Sequence, residues 1–404
     1  MKLSVTGLGV VGPLGVGRRR FFELLRGGAA AEHAFGPPLD VLSPQHAGNT
    51  LAAQVRDFDA GSYLGRKGLR NFDRLTKFLI VAAKLALEDA RIKRNGSHLT
   101  GSPERVGVCS ATAYGSLDAI TELNLVAEFE DPRFLNPNRF PNTVINSPSA
   151  YVGIWENLRG PNVTIVDGNC GALDGVLSSQ NHLAHHRADM FLVGGGEVLS
   201  EPLYLAFRKL GALAEQPSGF APGSPASKGM RLGEGAVYLC IEPPEAAKAR
   251  GACIRAEIVG YGAGFEPPPS EASLVHVSKS AILRALRNAL ADACLSPQDV
   301  DVVCSAACGI PHFDSTELNA VEEFFGADIS TALPKALLGE TLGASGAFAL
   351  ATVLAWFAGA PVVPLVGRAL RSRPRTAVVI TLGYYGNVSV VVVRRCEQEG
   401  HELG

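Results

Sequence analysis

The sequence predicts an α/β protein with covered sheets, built as two similar halves. Three observations carry that reading. Strand-like runs alternate with helical ones along all 404 residues, the pattern of sheets flanked by helices. The order of those runs repeats in the second half of the chain. A local echo marks the repeat: "RVGVCSATA" at 105–113 and "DVVCSAACG" at 301–309 each follow a long helix and hold the same place in their half.

The elements follow in order. An alternating apolar run over 2–10 predicts a strand, followed by a helix over 17–26 and a long helix over 69–91. A strand over 105–111 and a helix over 116–128 come next. Beyond a proline-rich loop lie a strand over 162–167, a helix over 171–187, and strands over 189–196 and 234–242. The second half restarts with strand 253–264 and long helix 273–294, then strand 300–306 and helix 314–325. A short strand over 329–333, helix 343–358, and strands 376–383 and 387–395 complete it. Helices 171–187 and 343–358 occupy equivalent places and are rich in Gly and Ala, so they are expected side by side in the core. The halves divide as 1–250 and 251–404, the first carrying an insertion over about 112–160.

Composition excludes several function classes. A formal net charge of −2 gives no electrostatic reason to expect nucleic acid or an anionic membrane as partner. The longest uncharged stretch, 341–367, is interrupted by Pro361 and Pro364 and reads as a buried helix followed by a loop rather than a membrane span. "MKLSVTGLGVVGPLG" alternates like a strand and lacks the basic start of a secretory leader. Eight scattered cysteines show no CxxC pair and no metal-ligand spacing. Reduced thiols in a cytoplasmic protein are therefore expected, without a bound metal.

One stretch carries the candidate chemistry. In "VDGNCGALDGVL", 166–177, a cysteine sits between the apolar run "VTIV" and a stretch patterned as a buried helix. Such an elbow presents a nucleophile where helix amides lower a thiol's pKa and bind developing negative charge. Cys170 is thus either a catalytic thiolate or a small buried residue behind the elbow. The histidines of "NHLAHHRA", His182, His185 and His186, fall near the end of the following helix, where cationic side chains are favoured. Glu122, Glu128, Glu130 and Asp131 read as a solvated edge.

Larger motifs suggest a family. "VGGGEVLSEPLYLAFRKLGALA" (193–214), "RLGEGAVYLCIE" (231–242), "FLNPNRFPNTVINSPSAYVGIWENLRGPNVTI" (134–165), "LGETLGASGAFALATVLA" (338–355) and the closing "TLGYYGNVSVVVVRR" together resemble β-ketoacyl synthases. The resemblance spans nearly the whole chain. It implies a thiolase-like αβαβα layered fold of two duplicated halves, a tight dimer, and substrates carried on the phosphopantetheine arm of acyl carrier protein, with no other cofactor. In active members an elbow cysteine attacks the acyl thioester, and two histidines of the second half assist decarboxylation and stabilise the oxyanion.

Matched position by position, this chain departs from that set. Anchored on Leu173 and Asp174, the nucleophile position falls on Asn169, and Cys170 comes one residue late, a swing of roughly 100° around the helix start. The first histidine's place is held by Ala306, with His312 six residues further on. The second histidine follows a Lys-x-x-x-Gly pattern; Lys335 and Gly339 are present, but the next residue is Glu340. A carboxylate repels an oxyanion, and losing one such donor costs about 2.7–4 kcal/mol. An ion pair of Glu340 with Lys335 would fill the altered site.

This triple departure resembles the chain-length factors of type II polyketide synthases, which usually carry glutamine at the nucleophile position; Asn169 leaves an aryl-polyene or polyene-type system open. The resemblance implies a non-catalytic subunit paired with an active ketosynthase, limiting chain length. It assigns the tunnel wall to Thr112, Tyr114, Leu117, Ile120, Leu125, Phe129 and Phe134. The alternative is a divergent condensing enzyme, acyltransferase or thioesterase using Cys170 with Glu340 or His312. Loading-type decarboxylases keep both histidines, which Ala306 and Glu340 argue against.

Overall fold

The run "NVSVVVVRR" at 387–395 shows why the sheets form where they do. Val388, Val390 and Val392 enter one hydrophobic core, and Val391 and Val393 another. A strand with period 2 feeds both of its faces this way, and β-branched side chains suit the pleat. The computed structural model describes residues 2–27, 34–37, 41–43, 51–94, 96–270, 275–370 and 372–396.

The main strands of the first half are β1 (Leu3–Gly12), β2 (Val106–Ala111), β3 (Asn162–Ile165), β4 (Met190–Glu197) and β5 (Gly235–Glu242). Those of the second are β6 (Ala256–Phe265), β7 (Val302–Cys304), β8 (Ser330–Ala332), β9 (Leu365–Val366), β10 (Thr376–Leu382) and β11 (Asn387–Arg395). They lie in the order β9-β8-β7-β10-β11-β6-β1-β5-β4-β2-β3. Read outward from the β1–β6 junction, the two halves run through the same succession over five strands, with the short β9 added at the edge of the second, and β2 and β7 hold equivalent places. The expected duplication is present.

The helices are α1 (Arg18–Arg26), α2 (Arg74–Asp89), α3 (Leu117–Phe129), α4 (Ser147–Glu156), α5 (Gly171–Ala184), α6 (Glu201–Lys209), α7 (Lys279–Ala293), α8 (Pro311–Phe325) and α9 (Ser345–Phe357), besides shorter turns. Three cores bind five layers together, the central one reaching both half-sheets. Helix α2 packs Phe78, Leu79 and Ala82 onto Val108, Leu192 and Tyr238. Helices α7 and α8 cover Val303, Val378, Val390 and Val392. Between the half-sheets, α5 and α9 share a core with Val5, Val237, Val379 and Val391. This is the αβαβα layering that the resemblance implies.

Close approach explains the glycines that punctuate the strands. A Cβ on Gly9 would sit 1.9 Å from the Ala82 carbonyl of α2, and one on Gly262 would sit 2.2 Å from the Ala285 carbonyl of α7. The same helix-on-strand contact recurs in both halves. The "VCSA" echo obeys it too: Cys109 lies beside Gly175 of α5, and the Cys304 thiol beside the Ala349 carbonyl of α9. Helices α5 and α9 do lie side by side, since a Cβ on Gly346 would meet Leu173 at 3.0 Å.

Three expectations need correction. The helix predicted over 69–91 begins at Arg74, because Phe72 is extended and the Asp73 carboxylate caps the helix by accepting from Thr76 N at 2.7 Å. Leu69–Asn71 is a separate 3-10 turn. Two helices were hidden in stretches read as loop or left unassigned, α4 with Pro148 in its first turn and α6 capped by Ser200. The long helix expected over 273–294 likewise begins late, at Lys279, because Ser278 is extended and its hydroxyl caps the helix by accepting from Ala281 N at 3.2 Å; residues 273 and 274 lie outside the described residues. Every residue of α9 is buried, and no helix among the described residues is long and apolar enough to cross a membrane.

Candidate functional site

The elbow forms as the sequence predicts. Strand β3 ends at Ile165, the turn Gly168–Cys170 reverses the chain, and α5 begins at Gly171. Asn169 is buried, and its Nδ2 donates to the Leu382 carbonyl at 3.0 Å and to Glu340 Oε2 at 3.3 Å. Cys170 has no solvent exposure, and its Sγ lies 3.5 Å from the Thr381 carbonyl. Burial, with the negative charges of Asp174 and Asp167, pushes that thiol's pKa up to about 12. Desolvation therefore outweighs the helix N-terminus that would have lowered it.

Glu340 is the centre of the buried polar cluster. Its Oε2 receives Lys335 Nζ at 2.7 Å, the Tyr384 hydroxyl at 3.2 Å and Asn169 Nδ2 at 3.3 Å, while Oε1 accepts from Leu342 N at 2.9 Å. The Glu340–Lys335 ion pair expected from the spacing is formed. Burial opposes the charge on Lys335, but Glu340 holds its pKa above the usual value. Burial, aided by Glu340, keeps the Tyr384 hydroxyl protonated, and its ring packs between Phe207 and Phe313. Oε2, with three donors, has no acceptor capacity left for a substrate, while Oε1 is tied to the turn before α9 by a single donor.

Ala306 borders the cluster, lining a small enclosed space with Lys335 and Gly339. Its N–H donates to Glu317 Oε1 at 2.8 Å, and Ser305 Oγ donates to Oε2 at 2.8 Å. Burial pushes Glu317 up to about 7. The structure thus brings Asn169, Glu340 and Lys335 into direct contact, with Ala306 alongside. It does not bring in His312, which is exposed at the start of α8.

Sequence reasoning missed Tyr384, Glu317 and Glu197. Glu317 had a signal: it falls with Phe313, Ala320 and Val321 on the apolar stripe of α8, where a carboxylate needs partners. The histidine trio holds no metal-like grouping among the described residues. His182 leans on Phe191, with ring centroids 5.5 Å apart, and burial lowers its pKa. Burial thus works against the cationic role expected for it.

The seven wall candidates separate by exposure. Thr112 is buried with its hydroxyl 3.3 Å from both Glu197 oxygens, and Leu117 packs against the second-half core. Ile120 is half-buried. Tyr114 is 44% exposed, Leu125 52%, Phe134 72% and Phe129 81%. Phe129 and Phe134 are therefore not core residues of this chain, because no described element covers the outer side of α3. Phe140, Val144 and Ile145 are exposed as well, and the turns that carry Phe134 and Phe140 pack against α3, so 129–145 presents several large apolar side chains to solvent, the composition that marks protein contacts when such side chains are contiguous.

A cationic cleft opens elsewhere on the first half, lined by Arg66, Arg70, Arg74 and Lys77 with Phe58, Leu69 and Asp59.

Comparisons with known proteins agree with this architecture. Residues 2–247 match the family model described as Beta-ketoacyl synthase, N-terminal domain, and 255–367 match Beta-ketoacyl synthase, C-terminal domain. The chain is 30% identical over 359 residues to the 3-oxoacyl-(acyl-carrier-protein) synthase 2 of Coxiella burnetii, covering 86% of this chain and 83% of that one. It is 29% identical over 412 residues to the "Putative polyketide beta-ketoacyl synthase 2" of Streptomyces halstedii, covering 97% and 96%. The solved ishigamide ketosynthase/chain length factor shares the fold, with a TM-score of 0.88 at 23% identity over 98% of this chain and 99% of that one.

Proposed function

The chain belongs to the β-ketoacyl synthase family, and we propose that within it this chain is a non-catalytic, chain-length-factor-like subunit. It pairs with an active ketosynthase of a type II polyketide or polyene-type system and limits the length of the acyl chain. The observation that carries this reading is the elbow: Asn169, which the resemblance aligns with the nucleophile, spends its amide on Leu382 and Glu340. An amide cannot accept an acyl group from a thioester. The neighbouring thiol is fully buried and protonated, which disfavours an acyltransferase or thioesterase built on Cys170.

Two surfaces support the partner side of the proposal. The apolar face of Phe129, Phe134 and Phe140 needs an apolar counterpart, and an obligate interface of this class buries on the order of 2,000 Å² or more. The cationic cleft of Arg66, Arg70 and Lys77 fits an acyl carrier protein bearing the phosphate of its phosphopantetheine arm.

The test uses purified chain, alone and coexpressed with a cognate ketosynthase that carries the intact cysteine and both histidines. Alone, it takes no acyl group from acyl carrier protein by intact mass, and releases no CO₂ from malonyl carrier protein. Coexpressed, it elutes as a 1:1 heterodimer. An acyl adduct on Cys170, or monomers persisting in coexpression, would overturn the reading.

A further inference from the structure

Glu197 closes β4 in "VGGGE" and is almost wholly buried. Its hydrogen bonds come from neutral groups: Ala113 N at 2.6 Å, Tyr114 N at 3.4 Å, Gly343 N at 3.3 Å, and the Thr112 hydroxyl at 3.3 Å from each oxygen. Burying a carboxylate in this way is costly, and an apolar residue would avoid the cost. What the carboxylate alone supplies is acceptor capacity on both oxygens, enough to take several N–H groups at once.

Those donors belong to two segments that no secondary structure joins. One is the loop 112–116, whose Thr112 hydroxyl also accepts from Gly115 N at 3.0 Å and whose Ser116 hydroxyl bonds Asp73, the cap of α2. The other precedes α9 and is fixed to Glu340 through Leu342 N. The first loop leads directly into α3, the helix that carries the exposed Leu125 and Phe129. The buried cluster around Glu340 is thereby connected, through Glu197, to the start of the apolar surface.

We infer that Glu197 is a positioning residue for the loop 112–116 and α3, and through them sets the length of product that the paired subunits make. The inference rests on the proposed pairing with an active ketosynthase. Glu197 touches no substrate; it acts by holding where α3 starts. Replacing it with glutamine turns one acceptor into an NH₂ donor facing the N–H groups of Ala113 or Gly343, so at least one tie is lost.

The experiment compares Glu197→Gln with Glu242→Gln in the coexpressed heterodimer. Glu242 is an equally buried carboxylate, but its bonds go to Thr6 and Arg250. Measured at pH 8, above the raised pKa of about 7 of the Glu197 carboxyl, Glu197→Gln is expected to speed hydrogen exchange at the amides of 113, 114 and 343 about tenfold, as loss of a bond to a charged acceptor implies. It should also move the main product by one or more two-carbon units, with heterodimer yield and acylation of the partner's cysteine unchanged. Glu242→Gln should move neither product length nor those amides. Unchanged exchange, or faster exchange with unchanged products while Phe129→Ala or Phe134→Ala lengthens them, overturns this inference alone. Unchanged products in all of these variants overturn the chain-length reading itself. Should Glu197→Gln fail to accumulate, Glu197→Asp keeps the charge but shortens its reach to the amides of 113 and 343, and is judged by the same readouts.

Discussion

Alkylation of the native protein with iodoacetamide at pH 8, followed site by site by peptide mass, measures whether Cys170 can be a nucleophile. Its thiol is moved from an ordinary 9.0 to about 12, so its thiolate fraction at pH 8 falls by about 10³. A more basic thiolate is intrinsically the better nucleophile, and a Brønsted slope of about 0.4–0.5 over that interval returns a factor of roughly 20. The net deficit is about fiftyfold from ionisation alone. Burial adds to it, because the reagent reaches Cys170 only after the elbow opens, whereas Cys253 and Cys294 are exposed. The expected result is labelling of Cys253 and Cys294 at least fiftyfold faster than Cys170, with all eight cysteines reacting alike in denaturant. Labelling of Cys170 within about fivefold of Cys294 would mean that the thiol is accessible and ionised. The acyltransferase or thioesterase alternative would then stand.

Further outcomes follow from the same geometry. Glu340→Ala leaves the buried Lys335 charge without its partner and should cost about 3–5 kcal/mol in urea unfolding; adding Lys335→Ala should recover part of that loss, and an additive double mutant would refute the coupling. Phe129→Ala and Phe134→Ala should change the stability of the isolated chain by less than about 0.5 kcal/mol, as surface substitutions do, yet lengthen the products of the heterodimer; unchanged lengths at normal yield place the gate elsewhere. The buried carboxyls Glu197 and Glu317 are raised from 4.5 to about 7. Between those values the unfolded chain has released protons that the folded chain keeps, so stability falls as pH rises, by on the order of 1.4 kcal/mol per unit for each group. Urea midpoints from pH 5 to 7.5 should decline, and Glu197→Gln and Glu317→Gln should each flatten the slope. A midpoint rising through that window would contradict the assignment.

Much of the fold is legible in the sequence. Strand and helix order could be read because alternating valines and apolar helical stripes are local signals, and because the second half repeats the first. Asp73 shows the limit. Its capping role ends the predicted helix early, but Asp-Arg-Leu-Thr inside an apolar run looks like helix until the cap is seen. The altered site was legible only through register: Asn169 and Glu340 stand at fixed distances from Leu173 and Lys335. Tyr384 was not, because nothing local tells which of two adjacent tyrosines turns inward; Tyr384 is enclosed by Phe207 and Phe313 while Tyr385 is 61% exposed. The exposure of Phe129 and Phe134 was illegible for a different reason. Hydrophobicity marks a residue for burial, but not whether its own chain or another supplies the cover.

The side chains of the buried cluster are not independent of one another. Asn169, Lys335 and Tyr384 all donate to the same Glu340 oxygen. Putting a histidine at 340 would strand the Lys335 charge and leave the Tyr384 hydroxyl and the Asn169 amide seeking acceptors, each a buried polar group costing about 1–3 kcal/mol when unpaired. Putting a cysteine at 169 would remove one donor but leave the carboxylate where an oxyanion has to be stabilised. Either single change lowers stability without restoring a step of the family's chemistry. A cluster tied to one carboxylate in this way resists piecemeal change, and that suits the proposed subunit, whose task would be to shape its partner's tunnel rather than to carry an acyl group.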